Sequence, residues 1–217
     1  MIDNFDEIWG EFMVLKKTAI YRKQKSKKCD KIFVAGIEHR VGATHFSILL
    51  ANYRANLLRQ KVALVDFNKD NDYRYLGEGL GDIHAERAYV KDKVTYYPSA
   101  TNDILEEIFL KDYDCIIIDV GNSYMKYKIE AGLCDFRYLI ISSTLWRNVN
   151  FKEEYENYFS KYKNSKWRIL YSFGSVAEAK EIENELGEKI YKIPYVETPF
   201  KVERSILDMI EKAIGEG

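Results

Sequence analysis

The residues best placed to do chemistry lie in the run VAGIEHRVGATHFSILLANYRA, which starts at Val34. An apolar stretch there gives way to a loop holding Gly36 and Gly42, and a helix is expected from about Thr44. That is the layout in which loop amides and a helix N-terminus receive a phosphate. The strict phosphate-loop pattern, GxxxxGK followed by Ser or Thr, would put its glycines at Ile37 and Gly42, its lysine at Ala43 and its hydroxyl at Thr44. Only Gly42 and Thr44 match. The candidate nucleotide-binding set is therefore Gly36, Glu38, His39, Arg40, Val41, Gly42, Ala43, Thr44 and His45.

Each of these residues also has a plainer use. The glycines suit a tight turn, Thr44 suits a helix N-cap, and Arg40 suits either a phosphate or a salt bridge with Glu38. His39 and His45 are either charge sensors or ordinary exposed histidines. Other chemistries find less support. GxSxG, HExxH, GxGxxG and CxxC are all absent, and Cys29, Cys115 and Cys134 with three histidines suggest neither a disulfide framework nor zinc.

The elements that would carry this loop are legible as short apolar runs rich in β-branched residues. They are KIFVA (31–35), VALVDF (62–67), VTYY (94–97), CIIIDV (115–120), RYLIIS (137–142), WRILYS (167–172) and KIYKI (189–193). Helical stretches are expected at 44–60, 102–110, 148–164, 175–186 and 201–214. The alternation predicts a three-layer α/β sandwich with a mostly parallel sheet of about seven strands. Ligands in such sheets bind beyond the carboxyl ends of the strands. Residues 68–93, with Gly77, Gly79 and Gly81 among acidic neighbours, read as an exposed flexible loop. The tyrosine-rich stretch 153–171 reads as aromatic packing, since too few basic residues interleave it for base stacking.

Composition limits the functions open to this domain. The 217 residues carry 33 Lys+Arg against 34 Asp+Glu, a net charge of −1, which argues against a general polyanion binder. No feature singles out nucleic acid. No secretory signal and no apolar run of about 18 residues is visible, so the expected location is the cytoplasm, with the inner face of the membrane as an alternative. Residues 1–30 form a leader ahead of a 31–217 domain. Its first half carries Asp3, Asp6, Glu7 and Glu11 with no base, and places Ile2, Phe5, Ile8, Trp9, Phe12 and Leu15 at helical spacing. Its second half is a basic patch of Lys16, Lys17, Arg22, Lys23, Lys25, Lys27 and Lys28. The leader reads as a docking helix with a solvated linker, or as a contact for acidic lipid or DNA.

The stretch Glu38-His39-Arg40-Val41-Gly42-Ala43-Thr44 resembles KGGVGKT, the deviant phosphate loop of the MinD/ParA-type ATPases. KVALVDFN (61–68) resembles that family's second strand and acidic switch. YDCIIIDVGN (113–122) resembles its Walker B strand and second switch, and KIPYVETPF (192–200) its late strand and following loop. Among relatives, VGATH with the following LANY, and YYP at 96–98, look most like the accessory proteins of tight-adherence pili (TadZ/CpaE-like). The resemblance implies ATP or ADP with magnesium, the metal ligands falling at Thr44, Asp66 and Asp119.

The departures imply loss of function. Both lysine positions hold other residues, Glu38 and Ala43; two loop glycines become His39 and Arg40; the water-positioning carboxylate falls at Asn68. The adenine-reading asparagine is not evident in LYSFG (170–174). The expectation is a degenerate scaffold or positioning factor that binds nucleotide weakly or lacks a cofactor altogether. Its partner would be a second copy of itself, as a homodimer, or a membrane-associated pilus or secretion ATPase. The alternatives are an active ATPase using Arg40 for the missing lysine, and an interaction module without nucleotide.

Overall fold

The computed structural model describes residues 29–68, 70–81, 88–144, 151–159 and 167–215. The 1–30 leader and its basic patch lie outside the described residues, apart from Cys29 and Asp30. In chain order the elements are β1 (Asp30–Gly36), α1 (Ala43–Asn52), β2 (Val62–Asp66), α2 (Asp72–Gly79), β3 (Tyr89–Lys91) and β4 (Val94–Tyr97). There follow α3 (Asn102–Phe109), β5 (Cys115–Asp119), α4 (Lys128–Gly132), β6 (Phe136–Ser142) and α5 (Phe151–Glu154). The chain ends with β7 (Trp167–Phe173), α6 (Val176–Leu186), β8 (Ile190–Lys192) and α7 (Leu207–Ile214).

The strands form one eight-stranded sheet in the order β3-β4-β2-β5-β1-β6-β7-β8. All neighbours pair in parallel except β3 with β4. Alternate residues of each central strand feed opposite cores, so the strands are apolar throughout. Ile32 and Val34 of β1 join Phe46, Leu49 and Leu50 of α1, Tyr73 of α2 and Ile210 of α7. Phe33 and Ala35 face the other way, toward Leu105 and Ile108 of α3, Phe159 beyond α5 and Ile182 of α6. The crossover after β1 runs toward β2, whereas those after β4, β5, β6 and β7 run the opposite way. Right-handed crossovers then require helices on opposite faces, and the loops at the reversal part beyond the carboxyl ends of β1 and β5.

All seven expected strands form, within a residue or two of the bounds read from sequence. The eighth, β3, was not foreseen; with α2 it occupies part of the stretch 68–93 expected as a loop, of which 69 and 82–87 lie outside the described residues. Gly77 and Gly79 lie inside α2 rather than in a flexible stretch. Tyrosines hold this segment: Tyr89 stacks on Tyr96 with ring centroids 5.1 Å apart, and its hydroxyl donates to the Tyr73 carbonyl at 2.5 Å. Three residues are too few for strand alternation to stand out. Helix 44–60 starts a residue earlier and passes into a π-helical turn at Tyr53–Leu57, and helix 201–214 becomes a 3-10 turn (Arg204–Ile206) followed by α7. Within the described part of 153–171 aromatics pack together, Phe159 lying edge-on to Trp167 at 4.8 Å; 160–166 lie outside the described residues. No helix among the described residues is long and apolar enough to cross a membrane.

Candidate functional site

The loop between β1 and α1 is built by close approach. A Cβ on Gly36 would meet Val41 Cγ2 at 2.7 Å, so the turn needs glycine there. Arg40 and Gly42 both occupy the left-handed region, at φ 60° and 95°. The loop is held from outside by Ser172 of β7, whose hydroxyl donates to the Val41 carbonyl, and by Ile37 N–H, which donates to Ile140 O at 2.9 Å. Gly42, not Thr44, is the N-cap of α1; its carbonyl accepts from Phe46 N–H at 2.9 Å. Thr44 sits inside the first turn, and its hydroxyl bonds the Asp119 carboxylate instead of capping the helix.

All nine loop candidates except Gly36 line a cavity of about 130 Å³, together with Asn68, Asp70, Asp72, Gly121 and Asn122. Among the described lining residues, Glu38, Asp70 and Asp72 supply three carboxylates against the single guanidinium of Arg40. Burial and the neighbouring Asp70 raise the Asp72 carboxyl above its ordinary range. Arg40 is exposed, and it makes no ion pair, with Glu38 or any other residue, among the described residues. His39 is exposed as expected, but His45 is half-buried. Desolvation holds its imidazole below the usual histidine value, against a bond with the Val196 backbone, and so favours the neutral ring.

Asp66 and Asp119 lie side by side, in register at the ends of β2 and β5, and neither lines the cavity. Asp119 is fully buried. Its Oδ1 accepts from Gly121 N–H at 2.9 Å and its Oδ2 from the Tyr73 hydroxyl at 2.7 Å. Burial still raises its carboxyl, and raises the Tyr73 hydroxyl as well. Asp66 is 1% exposed; its Oδ1 accepts from Asn68 N–H at 2.7 Å, while Oδ2 makes no well-formed hydrogen bond. Desolvation, then repulsion from Asp119, pushes Asp66 from 3.8 up to about 8, despite backbone bonds from Asn68 and Ser99. Gly121, at φ 54°, lets the second switch pass this pair, and a Cβ there would stand 2.6 Å from the Asn68 side chain.

No protein-family model matches the chain, and no curated protein does. Solved structures do. A putative plasmid partition protein from Borrelia burgdorferi bound to AMPPNP superimposes with a TM-score of 0.61 at 20% identity, over 87% of this chain and 98% of that one. A ParA family ATPase from Chlorobium tepidum gives 0.58 at 16% identity, over 79% and 86%. The cell division protein MinD from Aquifex aeolicus gives 0.58 at 18%, over 85% and 87%. The chain has the fold of the ParA and MinD ATPases.

Within that fold, the structure gathers the phosphate-loop candidates around one cavity and keeps Asp66 and Asp119 behind it. Sequence reasoning missed Asp70, Asp72 and Tyr73, because all three fell in the presumed loop. The available signal was Tyr73 with Leu76, an apolar i, i+3 pair in an otherwise polar stretch. Both contribute to the core on the α1 side of the sheet.

Proposed function

We propose that this protein is a P-loop-fold scaffold or positioning factor that binds nucleotide weakly or not at all and does not hydrolyse it. The observation that carries the reading is the cavity at the head of α1: about 130 Å³, with three carboxylates and, at the lysine position, Ala43. Pockets that enclose a small-molecule ligand are typically about 300–1,000 Å³. A carboxylate near 4 Å from a phosphate oxygen costs roughly 4 kcal/mol at an effective dielectric of 20. Phosphoryl transfer depends on cations and positioned water, and among the described residues the lining offers one guanidinium. The residues present offer magnesium a poor set of donors: neither Asp66 nor Asp119 lines the cavity, and both oxygens of Asp119 already accept hydrogen bonds.

Function then rests on contact. Exposed apolar side chains follow the carboxyl ends of three strands: Met125 and Ile129 after β5, Phe173 and Val176 at the end of β7, and Tyr195 after β8. Their position supports a partner surface on the site's own edge of the sheet. The partner we favour is a second copy or a membrane-associated pilus or secretion ATPase, the latter supported by the VGATH, LANY and YYP resemblance. A second reading has its own observation. Arg40 lines the cavity, is exposed and makes no ion pair among the described residues, so it can turn onto a phosphate.

Thermal denaturation with and without millimolar MgATP tests the proposal. Nucleotide at a hundredfold excess over Kd would stabilise by about 2.7 kcal/mol, roughly 5–10 °C in a chain of this size; the expected shift is near zero. A large shift with turnover that Arg40→Ala abolishes would replace the scaffold with an ATPase. Ala43→Lys with Glu38→Lys should gain measurable affinity, because it restores both positive charges to the head of α1. If affinity stays absent, the closed shape of the loop, not its charge, excludes nucleotide.

A further inference from the structure

A second cavity, of about 350 Å³, opens at the amino ends of β6, β7 and β8, across the sheet from the site above, and Ile214 and Gly215 border it. Its lining combines three cations, Arg137, Arg168 and Lys189, with the rings of Tyr138, Trp167 and Tyr191. The Arg168 guanidinium lies 3.8 Å over the Tyr191 ring and donates to the Lys212 carbonyl; the Lys189 ammonium lies 5.0 Å over the same ring. Arg137 donates to the carbonyls of Ala131 and Gly132. These partners are neutral. Among the described residues none of the three cations forms an ion pair with a carboxylate. Glu188, the one acid among the described lining residues, accepts instead from the Tyr155 hydroxyl. Arg168 Nε is buried with no hydrogen-bond partner. The cavity therefore presents positive charge over aromatic surface, the complement of an acidic segment with apolar anchors.

One stretch of this chain has that chemistry and is tied nearby. Residues 1–15 carry four carboxylates and no base, with Phe5, Ile8, Trp9 and Phe12 at helical spacing. The described chain begins at Cys29 and enters β1 at the same end of the sheet, two strands from β7. Two strand spacings are about 10 Å, whereas the 14 residues from Lys16 to Cys29 reach up to roughly 45 Å. A tether of that length supplies a millimolar effective concentration without new contacts. We propose that residues 1–15 dock in cis in this cavity, apolar side chains on its rings and carboxylates toward Arg137, Arg168 and Lys189. Docking there leaves the opposite, partner-facing edge of the sheet open.

Hydrogen–deuterium exchange of the full chain tests this. Residues 1–15 should be protected relative to coil rates, and Lys189→Glu, at an exposed position, should cut that protection about two- to fivefold, the scale of one exposed ion pair. Arg168→Glu should do the same, with a cooperative melt checking that it folds. Exchanging charges by adding Asp6→Lys and Glu7→Lys to Lys189→Glu should restore protection, which a merely structural role for Lys189 would not allow. Lys61→Glu, at an exposed site paired with Asp112, should change nothing in the leader. Coil-rate exchange of residues 1–15 in the unaltered chain, or protection indifferent to Lys189→Glu, would overturn the proposal. Protection that rises with protein concentration would overturn it in favour of docking on a second copy.

Discussion

Asp66→Asn isolates the cost of the buried carboxylate pair. Asp66 and Asp119 face each other across β2 and β5, and the Asp66 carboxyl rises from 3.8 to about 8. Below pH 4 the group is protonated in both the folded and the unfolded chain and has no effect on stability. Between 4 and 8 the unfolded chain releases the proton and the folded chain keeps it, so stability falls as pH rises, and the loss is complete above 8. Each unit is worth about 1.4 kcal/mol, which sets an upper bound on the order of 5 kcal/mol for the whole window; water entry and relaxation will reduce it. Asparagine has nearly the same shape, keeps an oxygen for Asn68 N–H, and turns an amide toward Asp119. Urea denaturation at pH 4.5, 6, 7.5 and 9 should show the variant gaining on the parent by several kcal/mol, nearly all before pH 8.5. Parallel curves would mean that Asp66 ionises freely in the folded state. Asp66 would then be available as a charged ligand for a cation.

Two further perturbations probe the same architecture. Tyr73→Phe removes a hydroxyl that donates to Asp119 Oδ2 at 2.7 Å inside the core, and should cost about 1–3 kcal/mol. The deficit should widen with rising pH, because that donor favours the ionised carboxylate, and denaturation series in parallel buffers read both. The ion pair of Arg54 and Asp30, at 2.9 Å with side chains 4% and 18% exposed, should respond asymmetrically. Asp30→Ala removes the carboxylate beside a buried guanidinium and should cost about 3–5 kcal/mol. Arg54→Met leaves a carboxylate with some access to water and should cost less, about 1–3 kcal/mol; equal losses in thermal or chemical melts would contradict this ordering.

The central strands were legible because they are apolar runs rich in β-branched residues and buried on both faces, a pattern that needs no knowledge of the partner. KIFVA and CIIIDV announce themselves, and so does the loop from Gly36 to Thr44, since Gly36 leaves room for Val41 and Gly42 takes left-handed geometry. The helix N-cap was misplaced by two residues because Thr44 suits that role in isolation; the structure uses Gly42 there and turns the threonine hydroxyl onto Asp119. Segment 68–93 was misread for a similar reason. Its tyrosines look like scattered aromatics until Tyr89 stacks on Tyr96 and Tyr73 reaches Asp119.

By itself, then, the sequence settled a parallel α/β sandwich and placed Glu38 and Ala43, not lysines, in the loop after β1, because residue type and short-range periodicity are local properties. Only the tertiary structure decided what became of the remaining site. The register of β2 against β5 set Asp66 beside Asp119, 53 residues away in the chain, and α2 brought Tyr73 over that pair. Burial and charge repulsion depend on neighbours that meet only after the sheet has formed. They set the two acids as a buried pair that does not line the small acidic cavity.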